Sequence, residues 1–296
     1  MINAPDYAPL CAAPDPSPRP PRENLPRTSC DTHMHICGPA AAFAYTEDRI
    51  YTPPDALLPD YLRLCDTLSI ERVVFVQPSI YGTDNSAMLS AMQSCPLANR
   101  GVAVVASDAT DDELDELHSA GVRGLRFNLV DVANKTAELP LALLGETAAR
   151  IKRLGWHLEL LVHVDDYPNL DEMLGDLEVD IVVGHLGYFR PDRTVDDEGF
   201  RALLRLMQSG RCWTKLTGPY RISSGDLPYA GTSEFAQQLV QAAPERVLWG
   251  SDWPHVMVKK AMPKDGDLLD LLFDWVPDVD VRHEILVTNP ATLYDF

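Results

Sequence analysis

Eight short apolar runs, each followed by an amphipathic stretch, set the strongest limit on how this chain can fold. The runs are TSCDTHMHI, ERVVFVQPS, RGVAVVAS, VRGLRFNLV, HLELLVHV, DIVVGHLG, CWTKLTGPY and VLWGSDWPH. They are rich in Val, Leu and Ile and lack a clean apolar–polar alternation. Strands buried on both faces of a parallel sheet read this way. The stretches between them, such as DDELDELHSAG and LLGETAARIKRLGW, have helical patterning. The first opens on acids and closes at Gly121, which suits a helix start and stop. Eight strand-then-helix units predict an α/β fold, a (β/α)8 TIM barrel in one domain. A doubly wound open sheet is the alternative, but no G-x-G-x-x-G follows an early strand.

The region ahead of the first run has a different character. Residues 1–29 are dense in proline, as in PDPSPRPPRENLP. Proline has no backbone N–H and a fixed φ, so an extended arm without helix or sheet is expected there. The division is therefore an arm over 1–29 and a barrel over 30–296. Such an arm could strap the barrel or wrap a second copy in a homodimer. The formal charge is 25 − 44 = −19. It repels nucleic acid and anionic membrane, so neither is expected as a partner. No apolar run is long enough to span a bilayer, and the N-terminus lacks the pattern of a signal peptide. The six cysteines form no C-x-x-C pair. Reduced thiols and a cytoplasmic location are expected.

The polar residues within the runs cluster at their C-terminal ends. His33 and His35 end the first run, Gln77 the second, Arg126 and Asn128 the fourth. His163 ends the fifth, His185 the sixth and Asp252 the eighth. In a (β/α)8 barrel the strand C-termini form the catalytic face, so these residues would converge in one mouth. The spacing H-x-H puts two imidazoles on one side of a strand, fit for two ligands of one metal or two contacts to one oxygen. An aspartate after VLWG is costly to bury without purpose. The set predicts a functional site rather than a structural polar cluster. His118, His157 and His283 are expected in packing or surface roles. Asp84 and Asn85 are expected to cap the next helix.

DTHMHICGP, RIYTPP, VQPSIYGTDN, GVRGLRFN, VVGHLG, KLTGPYR, WGSDWPH and LVTNPATLY together resemble the amidohydrolase superfamily, in the branch of pyrone-dicarboxylate lactonase and related lactone hydrolases. The resemblance covers nearly all of the chain after the arm. It implies a (β/α)8 hydrolase of lactones, acting on a carboxylic ester bond. It implies Asp252 as the general base that activates water, with His33, His35 and His185 at the carbonyl. Tyr51, Arg126 and Arg221 match residues that hold substrate carboxylates, and Asn128 and Tyr188 are taken with them as substrate-binding positions.

The pattern also has departures. Where pyrone-dicarboxylate lactonase carries a basic residue after RFN, this chain has Val132. Its arginine after the strand-six histidine is replaced by Tyr188, and its strand-five tyrosine by Leu161. A small anionic lactone of another pattern is therefore expected: a muconolactone-type acid, sulfonated acids included, or a sugar-acid lactone. Lys135, Arg190 and Arg193 are the cations named to compensate. Two routes to the oxyanion stay open. One uses imidazole hydrogen bonds and no metal. The other uses one divalent ion, zinc by preference, on His33, His35, His163 and Asp252. A metal-dependent decarboxylase of an aromatic or unsaturated acid is the alternative chemistry for the same side chains.

Overall fold

The computed structural model describes residues 8–133 and 138–296. Eight parallel strands run β1 Cys30–Met34, β2 Arg72–Val76, β3 Ala98–Ala103, β4 Val122–Asn128, β5 His157–Leu161, β6 Ile181–Val183, β7 Cys212–Leu216 and β8 Val247–Trp249. They pair in sequence order from β1 to β8. Seven of the apolar runs contain their strand whole, and β3 starts two residues ahead of its run RGVAVVAS. Helices Leu58–Leu68, Ser86–Ser94, Asp111–Ser119, Leu141–Ile151, Leu170–Leu174, Glu198–Gln208, Thr232–Ala242 and Asp265–Trp275 follow the strands in turn. This is the (β/α)8 barrel.

Local chemistry sets the elements. Helix Asp111–Ser119 starts at a capping box: the Thr110 hydroxyl accepts from the Glu113 N–H at 3.2 Å, and the Glu113 carboxylate accepts from the Thr110 N–H at 2.6 Å. That reciprocal pair satisfies two of the helix's free amides, and three acids in its first turn suit the helix dipole. Apolar residues divide into two layers. One fills the space between strands and helices, with Leu158, Leu203 and Leu272 fully buried. The other fills the barrel interior, with Val74, Val102, Val182 and Leu248, and Tyr294 from the chain end plugs its base.

The two ends of the sheet meet at β1 and β8, and this junction builds the site. The Asp252 N–H donates to the His33 carbonyl, and the His35 N–H donates to the Trp253 carbonyl, both at 2.8 Å. Buried Asp31 locks them from the side, accepting from the Ser251 N–H at 2.9 Å and from the Tyr61 hydroxyl at 2.8 Å. A side chain at position 250 would sit 2.7 Å from the His33 Cβ, so only glycine lets the strands approach this closely.

Residues 8–29 contain no helix and a single isolated bridge, Leu10 to Thr52. Arg19 pairs with Asp267 and Asp270, and Arg22 with Asp274, along helix Asp265–Trp275. These contacts lie within the one chain.

Candidate active site

Barrel closure brings His33, His35 and Asp252 together, all buried. The two imidazole centroids are 4.9 Å apart, nearly perpendicular. His33 Nε2 lies 3.8 Å and His35 Nε2 3.7 Å from Asp252 Oδ1. His185 adds a third ring, 5.1 Å from His33. Asp252 and His185 both hold positive φ, +62° and +50°, a conformation that costs L residues energy and recurs at working sites. Gly218 leaves room for the His185 ring, since a Cβ there would lie 2.8 Å from His185 Nδ1.

Hydrogen bonding decides what each ring presents. His35 Nδ1 lies 2.7 Å from the Val76 carbonyl, which can only accept. Nδ1 therefore carries the proton, and Nε2 of the neutral ring turns a lone pair toward Asp252. Burial, then the charge of Arg126, pushes this imidazole down to about 4, so it is neutral at pH 7. His35 thus meets the site centre as an acceptor or a ligand. Its direct donation to a lactone oxygen would require the other tautomer.

His33 Nδ1 sits 3.2 Å from Lys215 Nζ and 3.4 Å from Glu159 Oε1, so it can accept from the one or donate to the other. Its Nε2 is buried without a partner, as is His185 Nδ1. Burial lowers His185 to about 3, and burial with the Lys215 charge lowers His33.

Asp252 has two distinct oxygens. Oδ2 accepts from the Tyr220 hydroxyl at 2.6 Å and from Arg221 Nε at 2.8 Å. Oδ1 is buried and unpartnered. Burial alone would push the carboxyl up, but the Arg221 guanidinium, the chief opposing charge, outweighs it, and Asp252 is held well below the usual carboxylate range. Behind it runs a buried polar chain: Tyr220 Oη to His255 Nδ1 at 3.0 Å, then His255 Nε2 to Asp265 at 3.0 Å.

The remaining sequence-derived positions fall around this centre. Arg126 is buried, donates to the Gln77 carbonyl at 2.8 Å, and leaves Nε without a partner. Gln77 itself bonds the Asp84 carbonyl and so shapes the neighbouring loop. Tyr51 is buried, with its hydroxyl on Ser79 and within the field of Arg126. Tyr188 packs its ring on His185 at 5.4 Å and bonds Arg221. Asn128 uses its side-chain oxygen on the N–H groups of Val130 and Asp131, which holds the loop after β4. Arg221 is shared with Asp252 rather than standing free. His163 stands apart from the trio; its Nδ1 contacts the Tyr188 carbonyl. Of the named compensating cations, Arg190 pairs with Asp165 and Asp166, and Arg193 with Asp165. Lys135 lies outside the described residues. Asp84 caps the helix from Ser86, accepting its N–H at 3.0 Å, whereas Asn85 turns to Val104 instead.

Sequence reading missed three contributors. Glu159 and Lys215 form a fully buried ion pair of 2.5 Å beneath His33. Burial would raise the Glu159 carboxyl, and the adjacent ammonium outweighs it, keeping the carboxylate ionised. The signal was a lone charge inside each apolar strand, HLELL and CWTKL. Tyr220, the third, stood beside Arg221 in a quoted motif, but nothing local said that it would reach Asp252.

His33, His35 and Asp252 each offer one atom within 4.8 Å of the others, and among the described residues they are the only such metal-capable group. The fit is chemical as well as geometric: an unpartnered carboxylate oxygen, the lone pair of His35 and an unpartnered His33 nitrogen make an N,N,O set.

Comparison with known proteins agrees with this construction. The chain is 38% identical to a 4-sulfomuconolactone hydrolase of Rhizobium radiobacter over 288 residues, covering 97% of this chain and 96% of the relative. It is 38% identical to a 2-pyrone-4,6-dicarboxylate hydrolase of Comamonas testosteroni, covering 94% and 93%. A solved probable 2-pyrone-4,6-dicarboxylic acid hydrolase of Acinetobacter baumannii, with citric acid bound, superposes with a TM-score of 0.78 at 28% identity, covering 91% of this chain and all of that one. The amidohydrolase family pattern matches residues 30–296, and with the barrel and its polar mouth in place the chain belongs to the amidohydrolase family.

Proposed function

We propose that this protein hydrolyses a carboxylated or sulfonated lactone, of the muconolactone or sugar-acid type, using water activated by Asp252. One observation carries the reading: a buried carboxylate with one oxygen clamped and one oxygen free lies among neutral imidazoles and the Arg126 guanidinium, whose Nε has no partner. The named activities of the relatives, on sulfonated and dicarboxylated lactones, support the same class.

In this mechanism Arg126 and Tyr51 receive an anionic substituent. A buried cation with a free N–H gains most from an anion that arrives desolvated. Asp252 Oδ1 takes a proton from water as the water oxygen bonds the lactone carbonyl. Tyr220 and Arg221 keep the carboxylate from rotating, so Oδ1 stays aimed. His33 donates to the developing oxyanion from Nε2 when its Nδ1 accepts from Lys215. As the ring C–O bond breaks, Asp252 returns the proton to the leaving oxygen. The alternative to the His33 hydrogen bond is one divalent ion, zinc by preference, which His33, His35 and Asp252 would hold. When bound it would polarise the carbonyl and acidify water. His163, the fourth ligand of the expected set, is not part of this trio, and its Nδ1 contacts the Tyr188 carbonyl. The division into an arm over 1–29 and a barrel over 30–296 is supported by the span of the family match. All six cysteines are free, which suits a reducing compartment, and we place the protein in the cytosol. No described helix is long and apolar enough to cross a membrane.

The test is turnover of a lactone panel by the purified protein, with metal content measured alongside. Ring opening of anionic lactones well above that of neutral ones is expected. Release of CO₂ from an unsaturated acid with every lactone untouched would overturn the reading in favour of decarboxylation.

A further inference from the structure

Tyr220 has one hydroxyl hydrogen and two neighbours able to accept it. Asp252 Oδ2 lies 2.6 Å from its oxygen, and His255 Nδ1 lies 3.0 Å from it. On the far side of the ring, His255 Nε2 meets Asp265 Oδ1 at 3.0 Å. All four residues are buried. Water activation by Asp252 uses the first two groups and leaves His255 and Asp265 without a role.

Counting hydrogens decides where each one lies. Two oxygens 2.6 Å apart repel unless a hydrogen stands between them, and an ionised Asp252 has none to give. The Tyr220 hydrogen therefore points at Asp252 Oδ2. The contact with His255 then needs a hydrogen from the ring, so Nδ1 donates and the Tyr220 oxygen accepts. Asp265 opens helix Asp265–Trp275, where the helix dipole favours a negative charge. A carboxylate there can only accept, so Nε2 donates to it. His255 thus carries a hydrogen on each nitrogen. The bonds run one way from the ring, through Tyr220, to Asp252.

The backbone holds this pair in place. His255 has φ +59°, a costly conformation for an L residue, and its N–H donates to the Asp252 carbonyl at 2.8 Å. The proline-rich arm packs on the turn that carries Asp265. A Cβ at Gly266 would lie 2.4 Å from the Arg19 carbonyl oxygen, and Arg19 pairs with Asp267 and Asp270.

We propose that His255, held by Asp265, is a positioning residue for the general base: it turns the Tyr220 hydrogen onto Asp252 Oδ2, and with Arg221 on the same oxygen only Oδ1 remains to take the proton from water. Without the ring donor, the Tyr220 hydroxyl can turn away, and Oδ2 competes with Oδ1 as the base. The effect on turnover rests on the lactonase reading; the hydrogen positions do not.

Two measurements test this. NMR of isotope-labelled histidine ring nitrogens identifies His255 as the ring whose signals both Tyr220→Phe and Asp265→Asn displace. Hydrogens on both of its nitrogens are expected, and a lone pair on Nδ1 would overturn the proposal. In lactone kinetics, His255→Leu should lower kcat about 10- to 100-fold with KM little changed, the range for losing a charged hydrogen bond. His255→Asn, whose amide N–H stands near the place of Nδ1–H, should recover most of that loss. Added to Tyr220→Phe, His255→Leu should cost almost nothing more, because the group it positions is already gone. A kcat for His255→Leu within about twofold of wild type, or the full loss repeated on the Tyr220→Phe background, would show a packing role instead. Should the wild type open no lactone, the lactonase reading fails separately, and the ring-nitrogen signals decide the proposal.

Discussion

Replacing Lys215 by methionine is the sharpest test of how the site's floor is built. Lys215 and Glu159 are fully buried, 2.5 Å apart, and belong to different strands. Methionine keeps the length of the side chain and removes its charge. Glu159 would then keep only the weak 3.4 Å contact with His33 Nδ1. Breaking one side of a buried pair costs about 3–5 kcal/mol, because the other charge is stranded. At roughly 2 °C per kcal/mol for a chain of this size, the melting temperature should fall about 6–10 °C. Removing both charges, as Glu159→Leu with Lys215→Met, should recover most of that loss, since a well-packed apolar pair is often as stable as the buried ions. The double-mutant cycle should therefore show a coupling of about 2 kcal/mol or more. Activity should behave differently. The double variant regains stability but not turnover, because His33 Nδ1 has lost the partners that set its tautomer. Thermal unfolding and steady-state kinetics on the same four proteins decide the matter. If Lys215→Met melts within about 2 °C of wild type, or the double variant is as unstable as the sum of the singles, the pair is not a mutually dependent buried unit.

Three further outcomes are expected. Asp252→Asn keeps a hydrogen-bonding group for Tyr220 and Arg221 but removes the base, so kcat should fall about 10²- to 10⁴-fold with circular dichroism unchanged; turnover within threefold of wild type would exclude Asp252 as the base. Arg126→Met should raise KM for an anionic lactone by about tenfold or more while a neutral lactone is little affected, and equal changes for both would remove Arg126 from anion binding. His35 and His157 are lowered to about 4, chiefly by burial, from an ordinary 6.5. In that window the unfolded chain binds more protons, so their contribution is fully present above pH 6.5 and is lost as pH falls through about 4. Denaturant midpoints between pH 7 and 4 should decline accordingly, and a flat profile would contradict burial of these rings as neutral groups.

The sequence alone determined the barrel, because the period of its apolar runs and the helical stretches between them are local properties. It also determined which polar residues cap the strands, so the gathering of His33, His35, His185, Arg126 and Asp252 at one mouth was legible from the position of each within its run. Other features depended on tertiary structure. The Val76 carbonyl, 41 residues away, sets which nitrogen of His35 carries the proton. Lys215 finds Glu159 across 56 residues, and the loop after β7 carries Tyr220 onto Asp252, 32 residues further along. Arg190 and Arg193 looked free in the sequence and are consumed by acids from the loop after β5. The reason is the same in each case. Strand and helix patterns are written in neighbouring residues, whereas the partner of a buried polar atom is fixed by register and loop path. In a closed barrel those are settled only when β8 meets β1.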